Sequence, residues 1–177
     1  MQYSNACGRA AARRLTDATG LGHTGLKVPV QLEERHVPVQ LDERHAVASL
    51  RSTARIARPA EIVWKVVSDA AGISAWFPGI EQATTGDGAR SRTLAGGNQL
   101  EEDVVNVDEE LRRFQYRITG GMPVEHHLGT VDVLEDGADG ALVEYSTEIT
   151  PDSLADVIGP SIDGGVQGLK AHLEDSS

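Results

Sequence analysis

Thiols are nearly absent from this 177-residue chain, whose one cysteine is Cys7. A lone cysteine cannot close an internal disulfide, which accords with a reducing compartment. Long apolar runs are missing as well. No stretch of about 18 apolar residues occurs, so no membrane-spanning helix is expected. The Arg13-Arg14 pair is like the start of an export signal, yet Thr16 to Gly25 is polar and glycine-rich where an apolar segment is required. The chain therefore reads as cytoplasmic. Positive charge is the third scarcity: 16 Lys and Arg against 27 Asp and Glu leave a net charge of -11. Backbone phosphates are bound by clustered cations, so this balance argues against nucleic acid or an anionic membrane as partner. Lysine numbers only three, a bias of GC-rich coding more than of chemistry.

Signatures of known chemistry are equally thin. There is no G-x-S-x-G elbow, and Cys7 sits in the N-terminal segment. His126-His127 has no His or Cys companions at ligand spacing, so no metal site is expected. Gly20-Leu21-Gly22-His23-Thr24-Gly25 fits a dinucleotide fingerprint, but no apolar strand precedes it and no acidic ribose partner follows in a βαβ context. No cofactor is expected. Glu101-Glu102-Asp103 reads mainly as a solvated strand edge.

What remains is the composition of a soluble globular protein, 40% hydrophobic and 24% charged, long enough for one domain and too short for two. Residues 1–45 stand apart. Val28 to His36 recurs as Val37 to His45 with only Glu33 changed, to Asp42. Two nine-residue copies are too few for a solenoid, and each carries a proline that disfavours a central strand. This segment reads as a flexible or edge-packing arm, the domain proper being residues 46–177.

From Ala46 the pattern is regular. Leu50, Ser52, Ala54 and Ile56 alternate with Arg51, Thr53 and Arg55, as in a strand with one wet face. Pro59 suits a first helical turn, and Ile62, Val63, Val66 and Val67 mark a helix stripe. A second short helix is predicted over Ile73 to Phe77. Strands are predicted over 80–85, 90–95, 98–107, 112–119, 126–134 and 141–149, separated by glycine and aspartate turns. Pro151-Asp152-Ser153 then opens a last helix, apolar at Leu154, Val157, Ile158, Ile162, Val166, Leu169 and Leu173, in which Gly159-Pro160 kinks or restarts the chain.

The block Arg58-Pro59-Ala60-Glu61-Ile62-Val63-Trp64, followed by Trp76-Phe77-Pro78, Arg92-Thr93-Leu94, Gly96-Gly97, Glu102, Asp108 and Tyr116-Arg117-Ile118, resembles the SRPBCC superfamily. The likeness is to its START-like, bacterial polyketide cyclase/dehydrase and lipid-transport branch, which shares features with the abscisic-acid receptors, and it covers about three quarters of the chain. It implies an α+β helix-grip fold: a curved antiparallel seven-stranded sheet wrapped around a long C-terminal helix, with two short helices after the first strand. It also implies an apolar cavity. The resemblance turns the positions of Glu102, Tyr116 and Glu144 inward and puts His127 where related proteins often carry a tyrosine.

Alternation agrees in part. Val131 and Val133 share a face with Gly129 and His127, and Glu102 shares one with Leu100 and Val104; but Val143, Thr147 and Ile149 bring Tyr145 inward and leave Glu144 outside. Both Glu144 and Tyr145 stay open as ligand contacts. Gly164, Gly165 and Gly168 in the last helix, each costing about 1 kcal/mol relative to alanine, read either as room for a ligand or as close helix packing. Trp64 reads as core, Trp76 as part of the cavity mouth. Arg92 and Glu102 read equally as a cross-strand ion pair or a ligand-orienting pair, and His127 as a structural or a reactive histidine.

The expected function is binding of a hydrophobic, oxygenated small molecule, with polyketide cyclase/dehydrase-like chemistry. His127 or Glu102 would take an acidic proton while Arg92 or Tyr116 stabilises the enolate oxygen. Trp76, Phe77, Leu94, Ile118, Val131, Glu144, Tyr145, Val157, Ser161 and Gly165 would line the site. The alternatives are a non-catalytic carrier on the same fold and an interaction module using the repeat arm. A homodimer is compatible with exposed strand edges.

Overall fold

The computed structural model describes residues 46–175, so the arm and tandem repeat expected over 1–45 lie outside the described residues. Alternating burial builds the first strand, β1 (Ala48–Ile56), with Ala54 and Ile56 inside and its arginines in water. Six more strands follow: β2 (Ile80–Gly86), β3 (Ala89–Leu94), β4 (Gln99–Asp108), β5 (Arg113–Gly120), β6 (His126–Glu135) and β7 (Ala141–Thr150). All pairings are antiparallel. The spatial order β1-β7-β6-β5-β4-β3-β2 is a meander from β2 to β7, with β1 returning beside β7. Together with the long C-terminal helix α2 (Ala155–Glu174), this is the α+β helix-grip architecture.

Local chemistry sets the boundaries. Asp87 and Gly88, at φ of 51° and 78°, form the two-residue turn from β2 to β3, a left-handed pair that suits the twist of a tight hairpin. Pro59 caps helix α1 (Ala60–Val67), which buries Ala60, Val63, Trp64 and Val67. The stripe is rotated from the expected one: Ile62 is exposed, because i, i+3, i+4 and i+7 are counted from Ala60. Trp64 is core, and its Nε1–H donates to Glu109 across the turn after β4. The second short helix is a single 3-10 turn, Gly72–Ala75, that delivers Trp76 and Phe77 beneath the sheet. Helix α2 runs unbroken through Pro160, with Ile158, Ile162, Val166, Leu169 and Leu173 on its buried face. Its C-terminal end is tied to the end of β1. The Ala57 N–H donates to Glu174 Oε1 at 2.8 Å, and Lys170 Nζ donates to the Arg55 carbonyl at 2.6 Å. Among the described residues no helix is long and apolar enough to cross a membrane.

Two glycines of α2, Gly165 and Gly168, close space instead of opening it. A Cβ on Gly165 would lie 2.5 Å from the Phe77 ring, and one on Gly168 would lie 2.1 Å from the Trp76 carbonyl oxygen. The helix approaches the Trp76–Pro78 segment so closely that only glycine fits, which corrects the reading of Gly165 as a ligand contact. Gly164 meets nothing within 4 Å. Gly168→Ala is therefore expected to cost about 1–3 kcal/mol, as overpacking does. Gly164→Ala should gain up to about 1 kcal/mol of helix propensity. Urea denaturation midpoints of the two variants check this, and equal effects at both positions would refute the close-packing account.

Candidate functional site

Between α2 and the sheet lies a cavity of about 250 Å³. Arg92 and Leu94 from β3, Tyr116 and Ile118 from β5, His127 from β6 and Tyr145 from β7 form its sheet wall. Phe77 with Val157 and Ser161 of α2 face them, Val157 and Ser161 lying at the solvent side. The cavity opens where two strands part. β5 and β6 pair only from Arg113–Tyr116 to Asp132–Gly129, so the next strand amide on the inner side, Ile118 N–H, loses its ladder partner. His127 Nδ1 accepts that N–H at 3.3 Å.

Beneath the wall sits a charged cluster. Glu102 is 1% exposed, Arg90 3% and Arg92 5%. Arg90 Nε donates to Glu102 Oε2 at 2.7 Å, and Arg92 Nη2 donates to Oε1. Arg90 and Arg92 are two apart on β3 and so share its inner face. Their guanidinium carbons lie 5.1 and 5.7 Å from the Tyr116 ring centre, within cation–π range. Arg92 Nε is buried with no hydrogen-bond partner. Burial opposes the Arg92 charge, but the Glu102 carboxylate outweighs it and holds its pKa above the ordinary value.

The Tyr116 and Tyr145 hydroxyls form a short hydrogen bond to one another. Burial, then the nearby Glu102 carboxylate, raises the Tyr116 pKa; burial, then Tyr116 itself, raises that of Tyr145 well above the usual phenol. Both stay neutral. One hydroxyl donates to the other, which keeps its own proton for a further acceptor. The His127 pKa falls to about 4, through burial first and then the charges of Arg92 and His126. At neutral pH the imidazole is therefore uncharged. With Nδ1 accepting from Ile118, its proton is on Nε2.

Of the residues expected at a ligand, Arg92, Tyr116, His127, Phe77, Leu94, Ile118, Tyr145, Val157 and Ser161 line this cavity. Others do not. Glu102 lies behind the wall, held by both arginines. Glu144 points outward and meets Arg51 at 3.3 Å, so alternation, not the resemblance, gives its orientation. Trp76 and Val131 line a separate void of about 10 Å³, the size of one water at most, which the tyrosine pair partitions from the cavity. Gly165 is covered by Phe77. Apolar liners including Ile80, Leu100, Met122, Ile158 and Ile162 are not among the expected ligand contacts, nor is Arg90, which pairs with Glu102 behind the wall. Arg90 has a usable signal in its spacing from Arg92, as have Leu100 in sharing the face of Glu102 and Ile158 and Ile162 in the apolar stripe of the last helix.

The residues match the family model described as polyketide cyclase / dehydrase and lipid transport over positions 47–174. The chain belongs to that family. Solved structures of the same fold include the protein XoxI from Bacillus cereus, with a TM-score of 0.69 at 21% identity, covering 73% of this chain and 97% of that one. A START superfamily protein from Mycobacterium smegmatis has a TM-score of 0.63 at 14% identity, covering 75% and 99%. Norcoclaurine synthase from Thalictrum flavum, in complex with dopamine and hydroxybenzaldehyde, has a TM-score of 0.61 at 18% identity, covering 76% and 90%. At these identities the likeness is one of fold alone. No protein of curated function matches the sequence at a significant level.

His127 makes stability depend on pH. Its folded pKa lies below the unfolded value of about 6.5, so the unfolded chain binds the proton more readily. Stability from this group is complete above about pH 6.5 and is lost as pH falls toward its folded pKa of about 4. The loss should total about 3 kcal/mol at about 1.4 kcal/mol per unit. In His127→Gln this part of the acid slope should vanish, measured by urea unfolding across that pH range. An unchanged slope would refute the burial of a neutral imidazole.

Proposed function

We propose that this protein binds a small, hydrophobic, oxygenated molecule in the cavity, seating its oxygen against Arg92, His127 and the tyrosine pair. The observation that carries this reading is the enclosed apolar volume with hydrogen-bond donors gathered on one wall. The volume is about 250 Å³, room for about eight water-sized groups at roughly 30 Å³ each. That size favours a single-ring or short-chain ligand and disfavours the folding of an extended poly-carbonyl chain.

The geometry bears on chemistry as well. A cyclase or dehydrase must remove a proton next to a carbonyl. Both groups expected to do so are engaged: Glu102 is held by two guanidiniums, and His127 Nδ1 accepts the Ile118 amide while Nε2 carries a proton. What the wall offers is donors. Such a set polarises a carbonyl and stabilises an oxyanion, and this alone supports the cyclase/dehydrase-like reading. Carrier or sensor function is the better supported of the two.

The aromatic ketone 1-tetralone tests both readings. Saturable binding by NMR titration is expected, weakened at least about tenfold (about 1.4 kcal/mol) by Leu94→Trp, which fills the cavity. Binding indifferent to Leu94→Trp would remove the cavity from the account. In D₂O, exchange of the protons next to the carbonyl is expected at the buffer rate. Acceleration that His127→Gln abolishes would establish enolisation and reinstate the enzyme.

A further inference from the structure

We propose that the ligand carries a single anionic oxygen head, a carboxylate, seated on Arg92; this rests on the cavity-binding reading above. Among the cavity's lining residues only Arg92 is charged, the two tyrosines and His127 being neutral at physiological pH. The buried cluster behind it does not balance. Two guanidiniums face one carboxylate, which leaves one positive charge enclosed at the wall. Neighbouring acids are turned elsewhere. Asp103 pairs with Arg117 on the outer face, Glu101 accepts from Ser91, and Asp69 accepts from the backbone of Ala71 and Gly72.

A guanidinium that shares its one counterion with a second guanidinium leaves a surplus charge, which is costly in a low-dielectric site unless something neutralises it. Arg92 spends Nη2 on Glu102, and its buried Nε has no acceptor within the protein. A ligand carboxylate supplies both the charge and the lone pairs. It would also accept from His127 Nε2–H and from the spare tyrosine proton, whereas a cationic head would meet the like charge of Arg92. The chain as a whole is strongly acidic, at -11, so this positive floor is a local feature of the cavity and no reflection of the general surface.

Three molecules of one shape test the charge: 3-phenylpropanoate, 3-phenylpropanamide and 3-phenylpropylamine, titrated by calorimetry against the full chain at neutral pH. The carboxylate is expected to bind at least about tenfold tighter than the amide, the difference between charge-assisted and neutral hydrogen bonds. The amine is expected not to bind. Arg92→Gln should bring the carboxylate's affinity down to that of the amide. Equal affinity of carboxylate and amide for the native protein would overturn the anionic head and leave the cavity reading standing. Failure of all three to bind would overturn both. The comparison on the native protein decides the matter even if Arg92→Gln does not fold.

Discussion

Glu102 lies between Arg90 and Arg92 with almost no water around any of the three. Losing one partner of such a cluster leaves buried charge unpaired, at a cost of about 3–5 kcal/mol. The sheet depends on it because this side has little else to hold it. β2 buries only Ile80, and on β3 the two fully buried side chains are those arginines. The cluster joins β3 to β4, and its guanidiniums stack on Tyr116 of β5. The electrostatics of the wall follow from the same charges. Burial and then Arg92 hold His127 neutral, while burial and then Glu102 keep Tyr116 protonated. A well-packed apolar core would be at least as stable without the ions, so a cluster with surplus positive charge points to recognition.

Glycine decides where the rings go. Gly129 faces Tyr116 across the β5–β6 pair, and a Cβ there would lie 2.4 Å from the phenol ring. The ring therefore folds over the glycine and reaches Tyr145. Gly165 and Gly168 likewise let Phe77 and the Trp76 backbone press against α2. The cavity is what remains after these aromatics are seated, bounded on one side by Phe77 and on the other by the tyrosine pair.

The fold was legible because its signals are periodic. Strand alternation and glycine or aspartate turns gave six strands to within a residue, and the apolar spacing of α2 marked a helix that Pro160 does not break. Alternation also oriented Tyr145 inward and Glu144 outward, where family likeness pointed the other way. The partners of each polar group were not legible. That Glu102 engages two arginines follows from Arg90 and Arg92 sharing one face of β3, opposite residues 100–102 of β4, a register fixed only by the hairpin between them. That Gly165 and Gly168 serve close packing depends on the approach of the Trp76–Pro78 segment, far earlier in the chain, which no local pattern encodes.

The parting of β5 and β6 links this scaffold to its chemistry. Where pairing stops at Tyr116, a strand amide needs an acceptor, and His127 fills that role with Nδ1. The same bond fixes the proton on Nε2, turning a residue type often used as a base into a donor. Strand geometry, not an acidic partner, thus sets the tautomer. With both tyrosines neutral and Glu102 occupied behind the wall, the polar groups met by a ligand are donors of hydrogen bonds. A surface of that kind favours oxygen acceptors, most strongly anionic ones, and neither its one carboxylate nor its imidazole Nδ1 is free to take a proton from them. The carboxylate and the imidazole nitrogen that could act as bases are thus the groups that the protein's own donors, two guanidiniums and a strand amide, already occupy.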